Sequence, residues 1–276
     1  MKTLHGFVAS MRATRRAWTT ALAVGICSIP GVAFGAPSPE KLTTGYTDVF
    51  ACKLREGRSM DSVWAAMDRI AALDVPSSAP PDPGFGIFLW TPFRTGSSDD
   101  YIWGVNNSSI NALAQGLSDY IATPQSEAIG ASLDASSTCT SGIVSFRQLK
   151  VASIGNKAGR VPAAIVEIYA CDLKPGATME KFDKLAELWQ SEIVKIASPA
   201  LQAYGAWLWK PFRGATGGHA LYWVGAYPDL KSWGHGATDY FASKEGQAVD
   251  ARLNELTTCE ADLWVGYWVI APTQAQ

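Results

Sequence analysis

Histidine is nearly absent from this 276-residue chain: His5, His219 and His235 are the whole complement, and charged residues make up only 17% of it. Two well-separated histidines beyond the N-terminal segment supply too few imidazoles for a dedicated metal site, so none is expected. No CxxC or CxxCH occurs, which removes thioredoxin-type redox chemistry and c-type haem attachment. No Gly-rich loop follows a strand and opens a helix, and no nucleophile elbow is present, so nucleotide-binding and serine-hydrolase readings have no support. Past the N-terminal segment no apolar run reaches the roughly 20 residues that span a bilayer, so no membrane anchor is expected.

The first 35 residues have the build of a signal peptide. Lys2, Arg12, Arg15 and Arg16 form a basic n-region, Trp18 to Ile29 a short apolar region, and Ala33-Phe34-Gly35 a small-residue cleavage site. Thr14-Arg15-Arg16-Ala17-Trp18 loosely resembles a twin-arginine signal, which leaves two export routes open. Cleavage removes those four cations and leaves 19 Lys+Arg against 25 Asp+Glu, a net charge of −6. Nucleic acid is therefore not an expected partner, since it requires a basic face. A periplasmic or secreted protein is the expectation, and its oligomeric state is not written in the sequence.

What the chain does have is a duplication. Residues from Ala51 to Cys139 reappear from Ala170 to Cys259. Leu89-Trp90-Thr91-Pro92-Phe93-Arg94 returns as Leu208-Trp209-Lys210-Pro211-Phe212-Arg213, 119 positions on. A period of this length is that of a domain, not of a solenoid repeat. The expected organisation is a signal peptide over 1–35, a first repeat over 36–149, a linker over 150–162 and a second repeat over 163–276. Cys27 leaves with the signal, and each repeat keeps one Cys at its start and one near its end. Four cysteines allow three pairings. The repeat selects Cys52 with Cys139 and Cys171 with Cys259, the default in an oxidising compartment.

Each copy reads strand, helix, strand, strand, helix, strand. First strands are expected at Asp48 to Leu54 and Ile165 to Leu173, with Ser59 and Thr178 at the following helix N-caps. Met179, Phe182, Leu185, Trp189, Ile193 and Ile196 fall at helical spacing. Phe85 to Phe93 and Tyr204 to Phe212 form second strands, with Pro92 and Pro211 expected to end them; third strands lie around Tyr101 to Val105 and Leu221 to Gly225. Pro76, Pro80, Pro81 and Pro83 mark a loop. The order β-α-β-β-α-β is the ferredoxin-like arrangement, whose bare sheet face needs a second layer. The expected fold class is α+β: two tandem ferredoxin-like repeats with their sheets facing each other in a single-chain pseudo-dimeric α+β barrel.

With this element order, the duplication, and segments such as Trp223-Val224-Gly225 followed by Asp239-Tyr240-Phe241, the chain resembles the dimeric α+β barrel superfamily, here with both halves in one polypeptide. The resemblance covers the whole mature chain and is architectural. It implies a range of functions, among them monooxygenases, polyketide cyclases, stress-responsive proteins and haem proteins of the chlorite dismutase type, so fold alone does not select one. The GxxDG element of the dye-decolorising peroxidases is absent.

Differences between the copies point to function, while shared features point to the fold. Three mature tryptophans lie in the first copy and seven in the second, together with both mature histidines. Trp207, Trp209, Trp223, Trp233 and Tyr240 are the candidate lining of a pocket in the second half for a flat or apolar ligand; a Trp-rich core is the alternative. His235, flanked by Gly234 and Gly236, is a candidate general base or axial haem ligand, in the latter case with haem as cofactor. Glu167 and its counterpart Asp48 are acids inside apolar strands, with Arg147 the expected partner of Asp48. Tyr267 replaces Arg147 in the second copy, which is expected to leave Glu167 with a raised pKa. The leading expectation is a protein that binds a small aromatic or apolar molecule. An oxidative enzyme of monooxygenase or haem type using His235, Glu167 and Arg213 is the alternative, and a protein-interaction scaffold is the third.

Overall fold

In a computed structural model of the chain, residues 43–73, 82, 84–214 and 217–272 are described. The segment expected to be a signal peptide and the four loop prolines lie outside them. The first half contributes β1 (Thr44–Leu54), α1 (Met60–Ala71), β2 (Gly86–Arg94), β3 (Tyr101–Asn107), α2 (Ile110–Ile121), α3 (Ser126–Ser136) and β4 (Ser137–Lys150). The second contributes β5 (Ala164–Leu173), α4 (Met179–Ile193), α5 (Pro199–Ala203), β6 (Gly205–Gly214), β7 (Leu221–Tyr227), α6 (Leu230–Ala242), α7 (Lys244–Leu256) and β8 (Thr257–Ile270).

The eight strands close into one antiparallel barrel in the order β1-β3-β2-β8-β5-β7-β6-β4. Closure depends on the length of β4 and β8. Ser137 to Arg147 of β4 pairs with β1 of its own half, and Gly142 to Lys150 pairs with β6 of the other. In the same way β8 pairs with β5 and then with β2. A barrel has no free edges, which removes the pairing hazard of an open sheet.

Side-chain alternation then sorts each strand into a face toward the barrel lumen and a face toward the helices. Three cores result. Cys52, Val63, Met67, Leu89 and Tyr101 fill the first helix–sheet space, and Cys171, Phe182, Leu185, Trp189, Leu208 and Leu221 the second. Phe88, Trp90, Val144, Val166, Trp209, Val224 and Trp264 fill the lumen.

The cysteines pair as expected, Cys52–Cys139 and Cys171–Cys259. Each pair sits directly opposite in register where the first strand of a half meets the last. Thr178 caps α4 by accepting from the Lys181 amide, whereas Ser59 occupies the N-cap of α1 without a side-chain cap bond. The second helical stretch of each copy is broken into two helices, in the second half at Ser243, whose hydroxyl accepts from the Gly246 amide to start α7. Pro92 and Pro211 do not end their strands. They stand at register shifts within β2 and β6, where a residue lacking an N–H is tolerated.

Candidate functional site

The barrel wall divides the expected pocket residues into two groups. Trp207 and Trp209 point into the lumen. Trp223, Trp233 and Tyr240 pack on the opposite face, among the helices of the second half. The cross-strand partner of Trp207 is Val224 and that of Leu208 is Trp223, so Trp207 and Trp223 stand on opposite faces of the wall. No single pocket holds all five.

On the helix side, Glu167 is the centre. It projects from β5, is 9% exposed, and accepts from Trp233 Nε1 at 3.1 Å. Hydroxyls of Tyr204 and Tyr169 also bond to it. Burial outweighs these donors and pushes the carboxyl up to about 7. Its charge is in turn the main reason the Tyr169 hydroxyl is held well above its usual range, and burial does the same for Tyr204, Tyr227 and Tyr240. The Tyr204 hydroxyl accepts from Trp223 Nε1 at 3.2 Å. Two glycines make room for this cluster. A Cβ on Gly225 would fall 2.3 Å from the Tyr204 hydroxyl and 2.8 Å from Cγ of Glu167, and one on Gly236 would fall 2.5 Å from the Tyr227 ring.

That second glycine corrects the reading of His235. Gly236 faces inward to admit Tyr227, while His235 is exposed on α6. Arg213 is exposed beside Phe212. Glu167 is level with Gly225 and Ala206 across the sheet, and Arg213 lies seven residues farther along β6. At about 3.3 Å per residue that is roughly 23 Å, so His235, Glu167 and Arg213 do not form one catalytic constellation. Haem does not fit this arrangement either: His235 faces solvent, and His219 Nδ1 lies 3.1 Å from Asp172 Oδ2 at the protein surface. Among the described residues no group of three or more His, Cys, Asp or Glu side chains is placed to hold a metal ion.

Asp48, the first-half counterpart of Glu167, is pushed up to about 6 by burial and is not paired with Arg147. Arg147 crosses to the other half and meets Asp183 of α4 at 3.4 Å, where Lys210 joins at 2.7 Å. Its counterpart Tyr267 crosses in the opposite sense, packing edge-on to Trp64 of α1 with ring centres 5.3 Å apart. The exchange follows from the long β4 and β8, whose ends lie under the helices of the other half.

The lumen holds the cavity. Trp90 and Trp209, equivalent positions of the two copies, reach inward from β2 and β6 on opposite walls and stack with centres 5.6 Å apart. Phe88 stacks on Trp90 at 4.4 Å. Beside this stack is a cavity of about 70 Å³, lined chiefly by Phe88, Trp90, Phe146, Trp207, Trp209 and Trp268, with Asn106 as the one side-chain amide. Trp90, Trp209, Val166 and Val224 are buried, whereas Asn106, Phe146, Ile154, Trp207 and Trp268 are partly exposed, so the mouth lies at their end. The segment between β4 and β5 runs over this mouth. It is held by Trp268 Nε1 donating to the Gly155 carbonyl at 3.0 Å, and Ile154 from it joins the lining. Arg160, from the same segment, reaches Asp68 at 3.0 Å and lies over the Trp64 ring. Asn106 and Phe146 had no signal in the sequence beyond their place on strands, because a lumen position is defined only once the barrel closes.

No protein-family model and no curated protein matches the sequence. Solved structures do. A candidate monooxygenase from Fusobacterium nucleatum superposes with a TM-score of 0.53 at 9% identity, covering 81% of this chain and 93% of that one. A candidate monooxygenase from Lactobacillus acidophilus NCFM gives 0.51 at 9% identity, covering 83% and 98%. At such identities the likeness concerns the fold, which is that of the dimeric α+β barrels.

Proposed function

We propose that this dimeric α+β barrel, built from two tandem ferredoxin-like repeats in one chain, is a periplasmic or secreted protein that binds a small aromatic or apolar molecule. The observation that carries the reading is the aromatic-lined lumen cavity with its partly exposed mouth. Apolar walls with a few polar groups are the usual make-up of a small-molecule site. The binding place differs from the one expected in the second repeat, because the lining draws on both copies: Phe88 and Trp90 from the first, Trp207 and Trp209 from the second. At about 70 Å³ the space is about half of the ~150 Å³ that accepts benzene in an engineered protein core. A ring therefore fits only in part, with the rest of it left at the mouth. The two disulfides support an oxidising compartment. A cavity of this kind, open at one end, counts against a pure interaction scaffold.

Ala226 lies on the cavity wall. Ala226→Leu puts three further carbons into the space and is expected to weaken binding of toluene or indole at least about tenfold, read by tryptophan fluorescence or calorimetry. Trp223→Phe, on the other face, is expected to leave the affinity unchanged. Equal affinity of wild type and Ala226→Leu would remove the lumen from consideration.

An oxidative enzyme is the second reading, favoured by one observation: a buried carboxyl near neutral pKa beside four tyrosines. A carboxyl of this kind takes a proton from a bound phenol or hydroquinone at neutral pH. This reading expects dioxygen uptake with a hydroquinone, lost in Glu167→Gln and kept in His235→Ala. Equal rates in wild type and Glu167→Gln would end it.

A further inference from the structure

The cavity wall carries one side-chain amide, that of Asn106. Thr47 Oγ1 donates to Asn106 Oδ1 at 2.7 Å, and Thr47 is fully buried directly across the strand pair from Asn106. That bond engages one lone pair of the amide oxygen, and the Nδ2 hydrogens have no acceptor among the described residues. The lining contains no carboxylate. Asn106 is partly exposed at the mouth, so its amide hydrogens are open to water or to a ligand that enters there.

The copies differ at this point. Allowing for the one-residue insertion, Asn106 corresponds to Ala226, and both line the cavity. The donor is therefore present in one half only, whereas the stacked Trp90 and Trp209 are common to both. A group needed to build the barrel would be expected in both copies; this one is not.

Resting on the lumen as the binding site, we infer that its ligand is an aromatic molecule bearing a hydrogen-bond-accepting oxygen, of the aryl ketone, aldehyde or quinone class, with that oxygen received by the Asn106 amide. The aromatic walls take the ring and the Asn106 amide takes the oxygen. A pure hydrocarbon makes no use of the amide, whereas a carbonyl oxygen accepts from it.

The test compares two probes of nearly the same shape, acetophenone and ethylbenzene, by calorimetry on the mature two-disulfide chain. Acetophenone is expected to bind about tenfold or more tightly than ethylbenzene, the size of one well-placed hydrogen bond. In Asn106→Leu the preference disappears while ethylbenzene binding persists. Asn106→Asp guards against a folding defect: it keeps the oxygen that Thr47 donates to and replaces the amide donor, and acetophenone is expected to lose its advantage there too. Equal affinities in wild type, or a preference unchanged in both variants, overturns the inference and leaves the lumen site standing. Failure of both probes to bind overturns the lumen reading together with it.

Discussion

Replacing Cys171 and Cys259 by serine is expected to lower the unfolding free energy by about 4–5 kcal/mol on the chain-entropy account of cross-linking. The bridge closes a loop with a sequence separation of 88, and Cys52–Cys139 one of 87. The two loops do not overlap in sequence, so their effects are expected to add. Losing both then costs about 9 kcal/mol, within the 5–15 kcal/mol that holds a typical domain folded. The doubly reduced chain is therefore expected to be at the edge of stability at 37 °C. Each bridge also ties the first strand of a half to its last, the strand whose far end crosses into the other half. Urea unfolding of the two single-bridge variants and the bridge-free variant measures this. A cost below about 1 kcal/mol per bridge would mean that the sheet ladders alone fix these strands.

The second large effect is a dependence of stability on pH that runs opposite to that of an ordinary salt-bridged acid. Glu167 has a folded pKa of about 7 against an ordinary 4.5, because burial penalises its charged form. Below 4.5 the carboxyl is protonated in both states and its contribution is intact. Between 4.5 and 7 the unfolded chain releases the proton and the folded chain keeps it, so stability falls as pH rises. Above 7 both forms are ionised and the loss is complete. The difference amounts to about 3 kcal/mol. Asp48, raised from 3.8 to about 6, adds a change of the same sign over a lower window. Urea midpoints at pH 5 and pH 8 are expected to show a less stable wild type at the higher pH, with Glu167→Gln removing most of the change above pH 6. A pH profile identical in wild type and Glu167→Gln would show that Glu167 titrates normally.

Much of the architecture was legible because the chain carries its own comparison. One cysteine at each end of each copy left one equivalent pairing, and the strand positions followed from matching apolar segments. Glu167 was legible for a physical reason too: an acid in an apolar strand is either paired or shifted, and its copy Asp48 stands in the same place. The grouping of tryptophans failed because copy number was used where strand face was needed. Trp207 and Trp223 belong to the same repeat, yet their faces follow from the register of β6 on β7, which the linear chain does not display. His235 misled through its glycines. Gly236 serves the Tyr227 ring, a contact between α6 and β7 that leaves no mark at short range. Asn106 escaped notice since its significance depends on closure of the barrel, on the hydroxyl of Thr47 and on its replacement by Ala226, three facts that come from distant parts of the sequence.

A crystal of the mature protein soaked with 4-bromoacetophenone, with the bromine located by anomalous scattering, tests the central claim most directly. The account predicts a single bromine at the mouth of the lumen near Trp207 and Trp268, with the carbonyl oxygen on the Asn106 amide. Bromine on the helix side beside Glu167, or no ordered bromine at saturating soak, would contradict it.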